Sequence, residues 1–309
     1  VFGGAGRSGL LPLLQKWGTM AISENVRGAA LMSLSMFAFT VNDAFIKSVT
    51  EVLPLYQTIA LRGVVAVAGL LLVAHFTGSL RVKIERADAR LIMWRSLADG
   101  GATGLFLTAL QNMYLANLSA ILQATPLAVT LGAALMFKDP IGWRRMTAIL
   151  IGFIGVLIII NPQGDGFDGW ALVGLAAVGA IVLRDLAVRP LSRQVPSIMV
   201  ALGAGAAVFV LGIVGSVIQG WAPVTPLHLS EIFASGVLLT VGYLTAVLAM
   251  RVGDIGFVAP FRYSSLLWAI FLGWLVFGNL PQMNALIGAA IVVATGIYTL
   301  LRERNLRQA

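Results

Sequence analysis

From Val41 to Pro54 the chain reads VNDAFIKSVTEVLP, and from Leu183 to Pro196 it reads LRDLAVRPLSRQVP. An acid (Asp43, Asp185), a base four residues on (Lys47, Arg189) and a proline seven further (Pro54, Pro196) recur at one offset, 142. Each acid ends an otherwise oily segment, where a charge is costly and functional by default. A second correspondence, Phe137-Lys138-Asp139 with Phe277-Gly278-Asn279, falls at offset 140. Oily helices resemble one another by composition, but composition does not reproduce the spacing of acid, base and proline. The chain reads as two copies of one unit.

Of the 309 residues, 59% are hydrophobic and 11% charged, whereas a soluble domain carries about 25% charge. The oily residues come in runs of the length a helix needs to cross a hydrocarbon core of roughly 30 Å. The expected class is therefore an all-α, polytopic membrane protein with the lipid bilayer as its main partner. The net charge of +8 falls in short loops and tails, so topology accounts for it without nucleic acid. There are no cysteines, hence no disulfide and no thiol chemistry. His75 and His228 sit near segment ends and cannot form a metal cluster. The run Gly3 to Gly9 lacks the ending and the preceding strand of a phosphate loop, and Leu10 to Leu14 is too short for a signal peptide. No metal or cofactor is implied.

Ten spans are expected, over roughly 26–48, 54–76, 91–113, 117–137, 146–160, 170–186, 196–218, 227–250, 255–277 and 283–301. Lysine and arginine mark alternate connections: Arg81, Lys83, Arg86 and Arg90, then Lys138, Arg144 and Arg145, then Arg189 and Arg193, then Arg251. The fifth-to-sixth connection instead carries Asp165 and Asp168. By the positive-inside rule both termini are cytoplasmic. The divisions are a tail over 1–25, a first repeat over 26–162, a second over 163–301 and a tail over 302–309. Five spans per copy is odd, so the second copy is inverted in the membrane, an arrangement found in many secondary transporters.

The pattern Phe39-x-x-x-Asp43-Ala44-x-x-Lys47 before Pro54, followed by Gln57 and Arg62, resembles the opening of the EamA-like branch of the drug/metabolite transporter superfamily. So do Ala259-Pro260-Phe261-x-Tyr263-Ser264-Ser265-Leu266 and the run Gly273 to Phe277. The resemblance covers nearly all of the chain from Val26 onward. One departure is that the acid ending the fourth and ninth spans is Asp139 in one copy and Asn279 in the other. The resemblance implies ten helices, inverted five-helix repeats and transport without ATP hydrolysis, in a multi-pass protein of the cytoplasmic (inner) membrane. Such relatives handle amino acids, S-adenosylmethionine, riboflavin and drugs.

Charges deep in spans face the interior and normally have partners. Asp43 and Arg62 lie at comparable depth on the outer side, and are expected to form an outer gate. Arg95 and Asp99, four apart on one helical face, with Arg184 and Asp185 are expected to form an inner one. Static pairs that fix helix register are the alternative. Arg62, Arg95, Arg184 and Arg262 oppose Asp43, Asp99 and Asp185, which leaves one cation over. Arg262 has no acid in its own span and is expected to meet an anionic substrate group in bidentate fashion, unless Asp254 or Glu231 neutralises it. Pro126 and Pro260 interrupt counterpart spans, the best sequence pointer to a transporter site. Gln123, Tyr263, Ser264, Trp268 and Tyr243 would line it.

The expected function is secondary transport of a small organic zwitterion or anion by alternating access. A larger nucleotide-like or cationic substrate, such as S-adenosylmethionine, riboflavin or a methylated amine, is the alternative. Asp43, Asp99 and Asp185 are the groups able to carry a coupling proton, though each has a nearby base that opposes this. A membrane-embedded enzyme is the distant competitor, with no HExxH, Walker motif or cysteine nucleophile to support it. Substrate identity, direction and oligomeric state are not encoded in these patterns.

Overall fold

In the computed structural model, residues 24–138, 142–161, 169–187, 191–192, 194–252 and 255–308 are described. Asp139, Asp165, Asp168, Arg189, Arg193, Asp254 and residues 1–23 lie outside them, as does the side chain of Arg251. In hydrocarbon a helix satisfies its own backbone, so each apolar run folds as one. They are α1 (Glu24–Thr50), α2 (Leu55–Phe76), α3 (Arg86–Asn112), α4 (Leu115–Leu122), α5 (Thr125–Phe137) and α6 (Trp143–Ile160). After these come α7 (Trp170–Ala187), α8 (Ser197–Gln219), α9 (Pro226–Val252), α10 (Ile255–Val258), α11 (Ser264–Phe277) and α12 (Met283–Gln308).

Among the described residues, nine helical stretches are long and apolar enough to cross a membrane, α4 with α5 counting as one. The one expected span not among these nine, α3, has 27 residues and at 1.5 Å per residue reaches about 40 Å. Its charges, Arg95 and Asp99 among them, hold its apolarity below that of the rest. The protein is an all-helical, multi-pass integral membrane protein.

Two expected spans are not continuous helices. The fourth breaks between α4 and α5 at Gln123 and Ala124, with Pro126 in the first turn of α5. The ninth is α10, a 3-10 turn over Ala259–Tyr263 that contains Pro260, and then α11. A proline supplies no backbone N–H and clashes with the preceding turn, so a helix is reset at each. The two prolines of the opening motif share a different task. Pro54 (φ −54, ψ 137) and Pro196 (φ −63, ψ 132) are the N-caps of α2 and α8, in nearly the same conformation. Lys138 after α5 (φ 57) and Gly278 after α11 (φ 66) likewise make matching left-handed turns.

The helices pack in specific pairs. α1 lies along α9 and α3 along α7, while α2 packs on α8 and α6 on α12. Lesser contacts join α3 to α8, α2 to α9, α1 to α11, α5 to α7 and α4 to α11. Polar ties secure one end of the bundle. Lys47 Nζ donates to the carbonyls of Leu110 and Met113, at 2.9 Å each, a cation placed where α3 ends with unpaired carbonyls. Gln111 Nε2 donates to the Thr50 carbonyl at 2.9 Å. The Gln57 amide exchanges two 2.8 Å hydrogen bonds with the backbone of Ala222, between α8 and α9.

Small residues set the closest approach. A Cβ on Gly155 of α6 would lie 2.8 Å from the carbonyl oxygen of Gly288 on α12, the small-residue packing expected of membrane helices. Gly155→Val is expected to destabilise the detergent-purified protein by about 1–3 kcal/mol through overpacking. Gly101→Ala, with nothing within 4 Å of the added carbon, is expected to stay within about 0.5 kcal/mol of the parent; thermal unfolding of both checks the pair.

Candidate functional site: a charged cavity and a helix-break junction

A cavity of about 170 Å³ lies between α1, α2, α3, α8 and α9. Its polar lining is Asn42 and Asp43 from α1, Arg62 from α2, Asp99 and Thr103 from α3, and Tyr243 from α9. Phe39 and Phe106 add aromatic walls. Phe39 meets Tyr243 edge-on with ring centroids 5.3 Å apart. These groups fall together because α1, α2 and α3 each bring one polar turn to the same depth, and α9 closes the far side along α1.

The charges do not pair as their spacing suggests. Asp43 and Arg62 share the cavity, but among the described residues no ion pair joins them. Asn42 stands between. Its Oδ1 accepts from Arg62 Nη1 at 3.5 Å and from the Ser235 hydroxyl at 2.9 Å, while its Nδ2 donates to Asp43 Oδ1 at 2.9 Å. Neither Asn42 nor Ser235 was singled out from sequence; the available signal was a carboxamide beside Asp43 in an apolar run. Asp99, only 3% exposed, accepts from Arg184 Nη1 at 2.6 Å, and Arg184 Nε donates to Asp185 Oδ1 at 2.9 Å. Arg95 is not the partner of Asp99. Its Nη1 donates to the Val200 carbonyl of α8 at 3.4 Å, and its Nε is buried without a hydrogen bond. Asp99 therefore belongs both to the cavity and to the Arg184–Asp185 cluster, which makes the two expected gates one continuous polar core.

The remaining sequence candidates other than Arg262 lie around a separate junction where the two helix breaks meet. Gln123 Nε2, at the α4–α5 break, donates to the Tyr263 carbonyl at 3.2 Å and to Ser265 Oγ at 3.0 Å. A side chain of the first break therefore satisfies a carbonyl of the second, while Thr125 Oγ1 donates to the Leu122 carbonyl at the first at 2.6 Å, as irregular backbone at membrane depth requires. Ser265, not Ser264, faces Gln123; Ser264 turns back to the Phe261 carbonyl at 2.7 Å. Trp268 packs edge-on against Phe37 at 4.9 Å, and Trp268 Nε1 and the Tyr263 hydroxyl are buried without partners. Arg262 is exposed on the 3-10 turn and does not line the cavity. Among the described residues no group of histidines and acids could hold a metal ion.

Residues 26–161 match the EamA-like transporter family. The match spans under half of the 309 residues, and over that stretch the chain is similar to this family. A riboflavin transporter of Vibrio cholerae is 31% identical over 201 residues, covering 60% of this chain and 65% of that protein, just under two thirds of its length. A pseudopaline exporter of Pseudomonas aeruginosa is 23% identical over 87% of this chain and 94% of its own. A crystal structure with 18% identity and a TM-score of 0.62 covers 89% of this chain and 97% of that one, and shares the fold. The family matched over that stretch is described as one of transporters.

Removing one member of a buried pair leaves the other unsatisfied. Asp99→Asn and Arg184→Gln are each expected to cost about 1–3 kcal/mol, reduced by the partial exposure of Arg184. The double variant should cost less than the sum, in a double-mutant cycle read by thermal unfolding.

Proposed function

We propose that this chain is an EamA-like secondary transporter of the cytoplasmic membrane that moves a small organic metabolite by alternating access. The observation that carries the reading is the central cavity, where charges of both signs meet aromatic walls between helices of both copies of the motif. The packing supports an inverted repeat. Exchanging each expected span with the one five later converts the α1–α9 contact into α7–α3, α3–α8 into α9–α2 and α1–α11 into α7–α5. The α2–α8 and α6–α12 contacts map onto themselves. Matching prolines and left-handed turns fit the same symmetry. With an odd number of spans per copy, a molecule so built has two related conformations, one open to each side.

The lining favours a zwitterion over a simple anion. Arg62 supplies a fork of donors, and Asp43 and Asp99 supply acceptors; the cation left over in the sequence count, Arg262, is at the surface. The volume suits a small solute, since pockets for larger ligands usually span about 300–1,000 Å³. Asp43 is the proposed carrier of any coupling proton. Asp99 is engaged by a guanidinium at 2.6 Å, whereas Asp43 takes its hydrogen bond from the neutral Asn42. A second reading, transport of a flavin-like heterocycle, is favoured by Phe39, Phe106 and Tyr243 in the cavity wall and by the riboflavin relative. It requires the cavity to widen on binding.

Counterflow into proteoliposomes preloaded with amino acids, betaines, organic acids or riboflavin tests these readings together. Zwitterion-dependent flux is expected, and Arg62→Gln or Asp43→Asn should lower it by tenfold or more, because a charge-assisted hydrogen bond contributes roughly 1.5–3 kcal/mol. Arg262→Ala should transport within about twofold of the parent, since exposed charges contribute roughly 0–1 kcal/mol. Loss of flux in Arg262→Ala with normal flux in Arg62→Gln would move recognition to the 3-10 turn.

A further inference from the structure

At the end of the bundle remote from Arg184 lies a larger cavity, of about 370 Å³. It is framed by the C-terminal ends of α3 and α6 and the N-terminal ends of α4, α7 and α12, and shares no lining residue with the central cavity. Its polar lining is carboxamide: Asn112, Asn117, Asn161, Gln282 and Asn284. Four of the chain's eight asparagines converge here, and among the described lining residues none is charged. Lys47, bonded to the Met113 carbonyl in the wall, also donates to Leu110, so it is engaged in holding the helix end.

Helix capping explains only part of this set. Asn112 Nδ2 bonds back to the Thr108 carbonyl at 2.8 Å, and Asn161 ends α6 in the left-handed region, φ 47, which asparagine tolerates better than most residues. No such task accounts for the side chains of Asn117, Gln282 and Asn284. The Asn117 carboxamide oxygen is buried without a hydrogen-bond partner, an arrangement costing about 1–3 kcal/mol unless another group satisfies the amide.

We propose that this cavity is a second ligand site, built for a neutral polyhydroxylated group. A carboxamide sets an acceptor beside a donor, and vicinal hydroxyls, each both donor and acceptor, answer that pattern. An ionic ligand finds no counter-charge among the described lining residues, so its desolvation would go uncompensated there. Ile121, Ile159 and Ile160 supply apolar wall for the carbon face of such a ligand, and half-exposed Tyr114 lies at its rim. The proposal does not depend on the substrate of the central cavity.

Saturation-transfer difference NMR on the detergent-purified protein, with ribitol against D-ribonate at millimolar concentration, tests it. A ribitol signal at least several-fold above that of ribonate is expected, and it should be lost in Asn117→Leu and, independently, in Asn284→Leu, each checked for a parent-like unfolding transition. No ribitol signal in the parent protein would overturn the proposal. So would a signal unchanged in both folded variants, equal binding of ribonate, or a signal that disappears instead with Asp43→Asn in the central cavity.

Discussion

An ion inside hydrocarbon must be offset by a partner, and the 2.6 Å contact between Asp99 and Arg184 is where this molecule meets that requirement most directly. The pair ties α3, whose Asp99 lines the cavity, to α7. Charge makes α3 less apolar than every other expected span, and the same charge gives it partners. Around the pair the solution is graded. Arg184 also holds Asp185, Asn42 mediates between Arg62 and Asp43, and Arg95 settles for a backbone carbonyl at 3.4 Å. Neutral groups thus complete a network that three acids and three bases begin, and the cavity forms where the network leaves room.

The second constraint is backbone satisfaction. Two counterpart spans are broken, and each break would be costly in lipid. Gln123 reaches from the first break to the carbonyl and hydroxyl of the second, and Thr125 donates to the Leu122 carbonyl at the first. At the far end Lys47 does the same service for the terminal carbonyls of α3. Transport as proposed needs helices that shift past one another, which sets these few side-chain ties apart from the glycine-lined seam of α6 and α12.

Most of the fold was legible because lipid leaves so few options: a long apolar run becomes a helix, and a proline within one marks a break. Asp43, Arg62, Asp99 and Tyr243 could be named because a polar group in an oily span has few reasons to be there. What could not be read was azimuth and long-range pairing. A 3-10 turn advances three residues per turn against 3.6 in an α-helix, so the Ala259–Tyr263 turn rotates Arg262 outward and brings Ser265, not Ser264, to Gln123. The bond between Ser235 and Asn42 spans 193 residues, and nothing local encodes it. For the same reason Arg184 could not be preferred to Arg95 as the partner of Asp99, since α3 alone offered the nearer base.

The central claim is that one charged cavity is reached in turn from both faces of the membrane. The chain has no native cysteine, so Thr103→Cys places a single thiol on the cavity wall. Its reaction with a membrane-impermeant thiol reagent, applied separately to each face of sealed vesicles, is the most direct measurement. The account predicts modification from either face, slowed on both by a transported solute. Modification from one face alone, or from neither, would contradict it.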